Sequence, residues 1–219
     1  MDLHLYHGYP GVSSWSLRAW LAARKAGLEF DRTLVDYRRP EGKAQLRALS
    51  PNGLVPLLVH RIGGREVVIW ESLSVCEYLA ELAPEARLWP APSAARALAR
   101  SVANEMHAGF LAMRQCLDMA LLERRQAVLT DEARADIARI EAIWTQCRET
   151  FGEADGGPWL FGHFTIADAM FAPVATRFRT YGISTGPTAA AYQAAVLADP
   201  DMLEWEALAA AEPTPERLS

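Results

Sequence analysis

"GLVPLLVHRIGGREVVIWESLSVCEYLAEL" (Gly53–Leu82) holds two short apolar runs, a glycine pair between them and a helix pattern directly behind. "VPLLVH" and "REVVIW" are rich in aliphatic and β-branched side chains, which suit a pleated strand. Gly63-Gly64 supplies a two-residue hairpin loop, whose central positions need positive φ. "ESLSVCEYLAEL" then predicts a helix. Upstream, "LHLYH" reads as a strand and "SWSLRAWLAARKAG" as a helix that Gly27 can end. "EFDRTLVD" is a second strand, and "EGKAQLRALS" a short helix closed by Pro51 and Gly53.

The resulting order is β-α-β-α-β-β-α: one parallel crossover, then a hairpin and a closing helix. This is the thioredoxin-like α/β order, placed at residues 1–82. Residues 83–93, "APEARLWPAPS", contain Pro84, Pro90 and Pro92 and read as a stiff linker. From Ala94 to the end, residues 94–219, the pattern is all-helical. "SAARALARSVANEMHAGFLAMRQCLDMALL" is expected to form one long helix. "TDEARADIARIEAIWTQCRETF" predicts a second, with Ile137, Ile140, Ile143 and Trp144 on one face, and "TIADAMFAPVATRFRTYG" a third. Two shorter helices follow.

Bulk properties exclude several function classes. Of 219 residues, 51% are hydrophobic and 22% charged, as in an ordinary soluble protein; the net charge of −5, with no basic run, gives nucleic acid no footprint. No apolar run approaches the ~20 residues of a membrane helix, and the N-terminus lacks a signal-peptide pattern. The three cysteines, Cys76, Cys116 and Cys147, form no C-x-x-C pair. They read as buried thiols in a reducing cytoplasm. The five histidines have no metal-ligand spacing, so no metal is expected.

Three segments carry chemistry, each at a strand–loop–helix junction of the α/β unit. "GVSSWSLR" puts Ser13, Ser14 and Ser16 at a helix start, where serine caps free N–H groups. "SPNGLVPLL" puts Val55-Pro56 at a strand start; a cis bond there would present the Val55 backbone to a ligand lying alongside like an added strand. "WESLSV" puts Glu71 and Ser72 at another helix N-terminus, which can hold a carboxylate, while Glu71 can meet the ammonium of the same amino acid. A ligand with a thiol, a peptide bond and a γ-glutamyl end would use all three.

With "SSWSLRAWLA", "SPNGLVPLL", "WESLSVCEYLAE" and "FTIADAMFAPV" in this order, the chain resembles a glutathione S-transferase over essentially its whole length. The resemblance implies the glutathione transferase fold, a homodimer, a cytoplasmic location, a detoxifying role and glutathione as co-substrate. It implies that Val55 holds the cysteinyl part, that Pro56 is cis, that Glu71 and Ser72 bind the γ-glutamyl end and that Lys43 meets a carboxylate. Ser13, first in an S-S-x-S-x-R pattern similar to the zeta class, would stabilise the thiolate, with Ser14 as the alternative. Lowering a thiol pKa by two units takes about 2.7 kcal/mol, and one charge-assisted hydrogen bond supplies about 1.5–3 kcal/mol. A small apolar electrophile would sit among His107, Phe110, Met113, Arg114 and Arg177, with Tyr181 nearby. Maleylacetoacetate isomerases share the serine pattern; there glutathione adds reversibly to a cis double bond of a dianion, for which Arg177 could supply a cation. A third reading is a glutathione-binding or interaction module without turnover. Thr165 and Asp168 match the family's structural capping box.

Overall fold

Alternation in "DLHLYH" buries Leu3, Leu5 and His7 on one face of β1 (Asp2–His7), the pattern of a strand packed on one side. The computed structural model describes residues 2–152 and 156–212. Helix α1 (Ser14–Lys25) crosses from β1 to the parallel strand β2 (Asp31–Leu34), and α2 (Pro40–Leu49) leads on to β3 (Leu57–Ile62). β3 runs antiparallel to β1, with Leu58 opposite Leu5, and pairs through the Gly63-Gly64 turn with β4 (Arg65–Trp70). Both glycines have positive φ, as the hairpin reading requires. The sheet order is β2-β1-β3-β4, and α3 (Ser72–Leu82) closes the unit. This is the α/β thioredoxin-like arrangement that the sequence predicts.

Helices α4 (Ser93–Ala108), α5 (Leu111–Cys116), α6 (Asp131–Cys147), α7 (Ile166–Tyr181), α8 (Pro187–Ala198) and α9 (Pro200–Ala211) follow. α1 packs between α3 and α7, so one apolar core runs from the sheet side into the helices. Leu17, Leu21, Val75 and Leu79 meet Met106, Trp144, Phe171 and Phe178 within it.

The long helix expected over residues 93–122 is broken. α4 stops at Ala108, Phe110 has a left-handed φ of 61°, and α5 starts at Leu111. Polar side chains stabilise the break. The Arg114 guanidinium donates to Gly109 O (3.0 Å) and to Met106 O, and Asp136 Oδ2 accepts from Met113 N (3.0 Å). These satisfy orphan groups at both new helix ends. Apolar periodicity continues through the break, so it does not reveal it. After Cys116 the chain is irregular up to Thr130 and lies on α7. There Arg177 Nε, Arg179 Nη2 and Thr180 Oγ1 donate to the carbonyls of Leu117, Leu121 and Ala120.

The start of α7 is fixed by a reciprocal cap. Asp168 Oδ2 accepts from Thr165 N (2.7 Å) and Thr165 Oγ1 (2.9 Å), and Oδ1 accepts from Leu160 N (3.0 Å). Phe164 packs edge-on against Trp159 rather than onto Ala169. Cys76 and Cys147 are buried as expected, and burial pushes both thiols up to about 12. Cys116 is half-buried.

Candidate functional site

The loop between β1 and α1 is held from both sides. Trp205 Nε1 on α9 donates to Pro10 O (3.0 Å), and Leu121 N donates to Gly11 O (2.9 Å). These bonds present the first turn of α1 as a fixed edge. Ser13 caps that helix: its Oγ accepts from Ser16 N (3.4 Å) and lies 2.8 Å from Ser16 Oγ. Ser16 Oγ in turn accepts from Gly8 N (3.0 Å). A β-carbon on Gly8 would stand 3.1 Å from Ser13 Oγ and 2.6 Å from Tyr37. Gly8→Ala is therefore expected to displace Tyr37 and the Ser13 hydroxyl and to lower about 10-fold any turnover that uses this edge, since misplacement at short range is costly. Steady-state kinetics with a soluble, folded variant checks this.

A cleft of about 790 Å³ opens at this edge, lined by Ser13, Ser14, Trp15, Tyr37, Lys43 and Val55 among others. A smaller hollow of about 190 Å³ shares Trp15, Asn52, Leu54 and Val55 with it and continues to Pro56, Glu71 and Ser72. The three sequence segments and Lys43 thus meet on one continuous surface. The Val55–Pro56 bond is cis. Glu71 caps α3 with a left-handed φ of 68°, which turns its backbone sharply between β4 and the helix. Ser72 is buried, and its Oγ has no hydrogen-bond partner among the described residues. That hydroxyl and the free N–H groups of the α3 N-terminus form a corner whose donors could take a carboxylate.

Asn52 is a site residue that sequence reasoning missed. Its Oδ1 accepts from Ser50 Oγ (2.7 Å) and Leu54 N (3.0 Å), and its Nδ2 donates to Glu71 Oε1 (3.1 Å). It fixes the turn before the cis bond and aims the Glu71 carboxylate. The "SPNG" turn signal was its trace in the sequence.

The residues expected around an electrophile separate. Phe110 and Met113 are buried in the helical core and line neither hollow, because the break at Gly109 turns this segment inward. His107 stands edge-on to Trp15, ring centroids 5.4 Å apart, with Nε2 3.8 Å from Glu71 Oε2. Burial pulls its pKa below 6.5, so the ring is neutral at pH 7. Arg114 lies over the Trp15 ring at 5.0 Å. Arg177 is buried, with Nη2 3.4 Å from Ser14 Oγ. Both arginines therefore stand behind Ser14 and Trp15. Tyr181 donates to Asp118, away from the serines. Among the described residues no group of three or more His, Cys, Asp or Glu is placed to hold a metal ion, and no helix is long and apolar enough to cross a membrane.

Residues 12–82 match the glutathione S-transferase N-terminal domain, and residues 114–210 match the C-terminal domain. The chain belongs to the glutathione S-transferase family. Among its relatives is a probable maleylacetoacetate isomerase of Caenorhabditis elegans, 31% identical over 123 residues; the match covers 56% of this chain and only 55% of that protein. Glutathione S-transferase GstB of Escherichia coli K12 is 28% identical over 179 residues, covering 76% of this chain and 73% of GstB. The crystal structure of a maleylacetoacetate isomerase from Anaeromyxobacter dehalogenans, with glutathione bound in its active site, superposes with a TM-score of 0.69. It is 27% identical, covering 93% of this chain and 94% of that one.

Proposed function

We propose that the protein binds glutathione along the Ser13–Val55–Ser72 surface and activates its thiol for attack on a small electrophile. The observation that carries this reading is the continuity of the two hollows, which set a hydroxyl-bearing helix start, a cis Val–Pro edge and a carboxylate corner in line. Residues 1–82 hold glutathione, residues 94–219 wall the second substrate, and 83–93 join them. Ser72 and the α3 N-terminus take the γ-glutamyl carboxylate, Glu71 its ammonium, and Val55 the cysteinyl backbone. Lys43, exposed on α2 at the cleft, meets the glycyl carboxylate.

Its place as the cap of α1 favours Ser13 at the sulfur. A serine hydroxyl has one proton and two lone pairs. Ser13 Oγ accepts from Ser16 N and donates to Ser16 Oγ in the free protein. Turning its proton from Ser16 to the sulfur gives the thiolate its donor, while the Ser14 hydroxyl, which accepts from Arg177 Nη2, has its own proton free as the alternative. The helix N-terminus adds positive potential at the same place. We further propose a cytoplasmic homodimer, as is usual in the family.

Turnover of an aryl halide with consumption of glutathione tests the transferase reading. Ser72→Ala is expected to raise the glutathione KM about 10-fold with little change in kcat, because the lost contact, worth about 1.4 kcal/mol, is remote from the reacting sulfur. The isomerase relatives favour a second reading, in which the thiolate adds to a cis double bond, the adduct rotates and the thiolate leaves. Conversion of a maleyl substrate with glutathione recovered in full distinguishes it. Glutathione binding without turnover of either substrate would leave a binding module.

A further inference from the structure

Arg18 is fully buried on α1, yet none of its three guanidinium nitrogens has a hydrogen-bond partner among the described residues. Its guanidinium lies over the Trp15 ring at 4.4 Å. Buried charges are ordinarily paired, because desolvation penalises them heavily. The groups facing Arg18 give no such pairing. Cys76 on α3 donates its thiol to Arg18 O (3.7 Å) and is held neutral by burial. His107 on α4 is neutral at pH 7, and Arg114 on α5 and Arg177 on α7 add two like charges. Acids that meet its neighbours serve other partners: Glu71 faces Asn52 and His107, Asp136 takes Met113 N, and Asp118 takes Arg125 and Tyr181. Asp199, which caps α9, and Asp201 and Glu204 on it hold Lys25 and Arg24 at the far end of α1.

Position gives this charge a use. Residues four apart stack on one helix face, about 6 Å along the axis, and helical side chains lean towards the N-terminus. Arg18 accordingly reaches back to Trp15, next to Ser14, with its guanidinium 4.4 Å from the ring centroid, on the side where Arg177 meets Ser14 Oγ at 3.4 Å. We propose that Arg18 is a positioning residue whose unpaired charge, buried behind the first turn of α1, holds the thiol of bound glutathione in its ionised form. The inference rests on the reading of the cleft as a glutathione site. In a water-poor interior a fixed charge acts strongly across several ångströms. A charge kept for its field is also a charge the fold would be steadier without, since an apolar side chain of similar volume removes an unpaired ion.

The test is ultraviolet titration of the thiolate of glutathione bound to wild type, Arg18→Met and Arg18→Lys, with a thermal melt of each. Arg18→Met is expected to raise the bound thiol pKa by about one unit, tenfold less ionisation, while its Tm stays equal or rises. Arg18→Lys keeps the charge and should keep the low pKa. A purely structural Arg18 predicts the opposite: an unchanged thiol pKa and a lower Tm in Arg18→Met. Either of those results, or failure of Arg18→Met to fold, overturns the inference. If wild type itself leaves the bound thiol unshifted, the glutathione-activation reading fails first. If wild type and Ser13→Ala differ while Arg18→Met matches wild type, only the inference fails.

Discussion

Ser13→Ala should lower kcat/KM at pH 7 by roughly 10- to 100-fold, through a rise of about one to two units in the bound thiol pKa. The loss is that of one hydrogen bond to a charged sulfur, about 1.5–3 kcal/mol. Ser14→Ala should cost less if Ser13 is the donor. Ser14 Oγ accepts from Arg177 Nη2 at 3.4 Å and keeps its proton, so a larger loss in Ser14→Ala than in Ser13→Ala would move the thiolate to Ser14. Two controls separate chemistry from folding. Ser13 also caps α1, so its variant loses some stability, about 1 kcal/mol for a cap. That loss should appear in a urea titration, while the pH profile of kcat/KM shifts independently to higher pH. A variant that is merely destabilised would lose activity at every pH alike.

Asp168→Ala should be the most destabilising single change, at about 3 kcal/mol or more. It leaves Leu160 N and Thr165 N without their acceptor in a fully buried place and releases the start of α7. Since α7 backs α1 and carries Arg177, the loss should reach the active-site edge as well. Burial also raises the Asp168 carboxyl to about 6, against four hydrogen bonds, from the Leu160 and Thr165 backbone and the Thr165 and Tyr192 side chains, that pull it down. Its folded pKa lies above its unfolded value of about 3.9. The folded state thus binds the extra proton between those values. The contribution of this group to stability is full below the unfolded pKa and is lost as pH rises through about 6. Urea titrations of wild type and Asp168→Asn at pH 4.5 and 7 should therefore show wild type losing ground to the variant as pH rises. An equal difference at both values would contradict the assignment.

Much of this was legible in the sequence, for identifiable reasons. The hairpin glycines, the cap serines and the Thr165–Asp168 box act locally, through turns and helix ends, so spacing alone places them. The strands could be read because β1 alternates and β3 opens on the apolar run Leu57–Val59. The break at Gly109–Phe110 could not be read, because apolar positions continue across it and one of its stabilising groups, Asp136, lies on the next long helix, α6. The same break moved Phe110 and Met113 from a supposed cleft wall into the core. Asn52 and Arg18 were visible as letters in motifs. What they do depends on partners, or on the lack of one, that only the packed chain reveals.

Proton release on glutathione binding tests the central claim most directly. Calorimetric titration of wild type with glutathione at pH 7, in buffers of different ionisation enthalpy, counts the protons that leave. A thiol lowered by about two units should release more than about half a proton per glutathione, and S-methylglutathione should bind and release none. Binding with no proton released would contradict thiol activation at the Ser13 edge, and no binding at all would contradict the glutathione site.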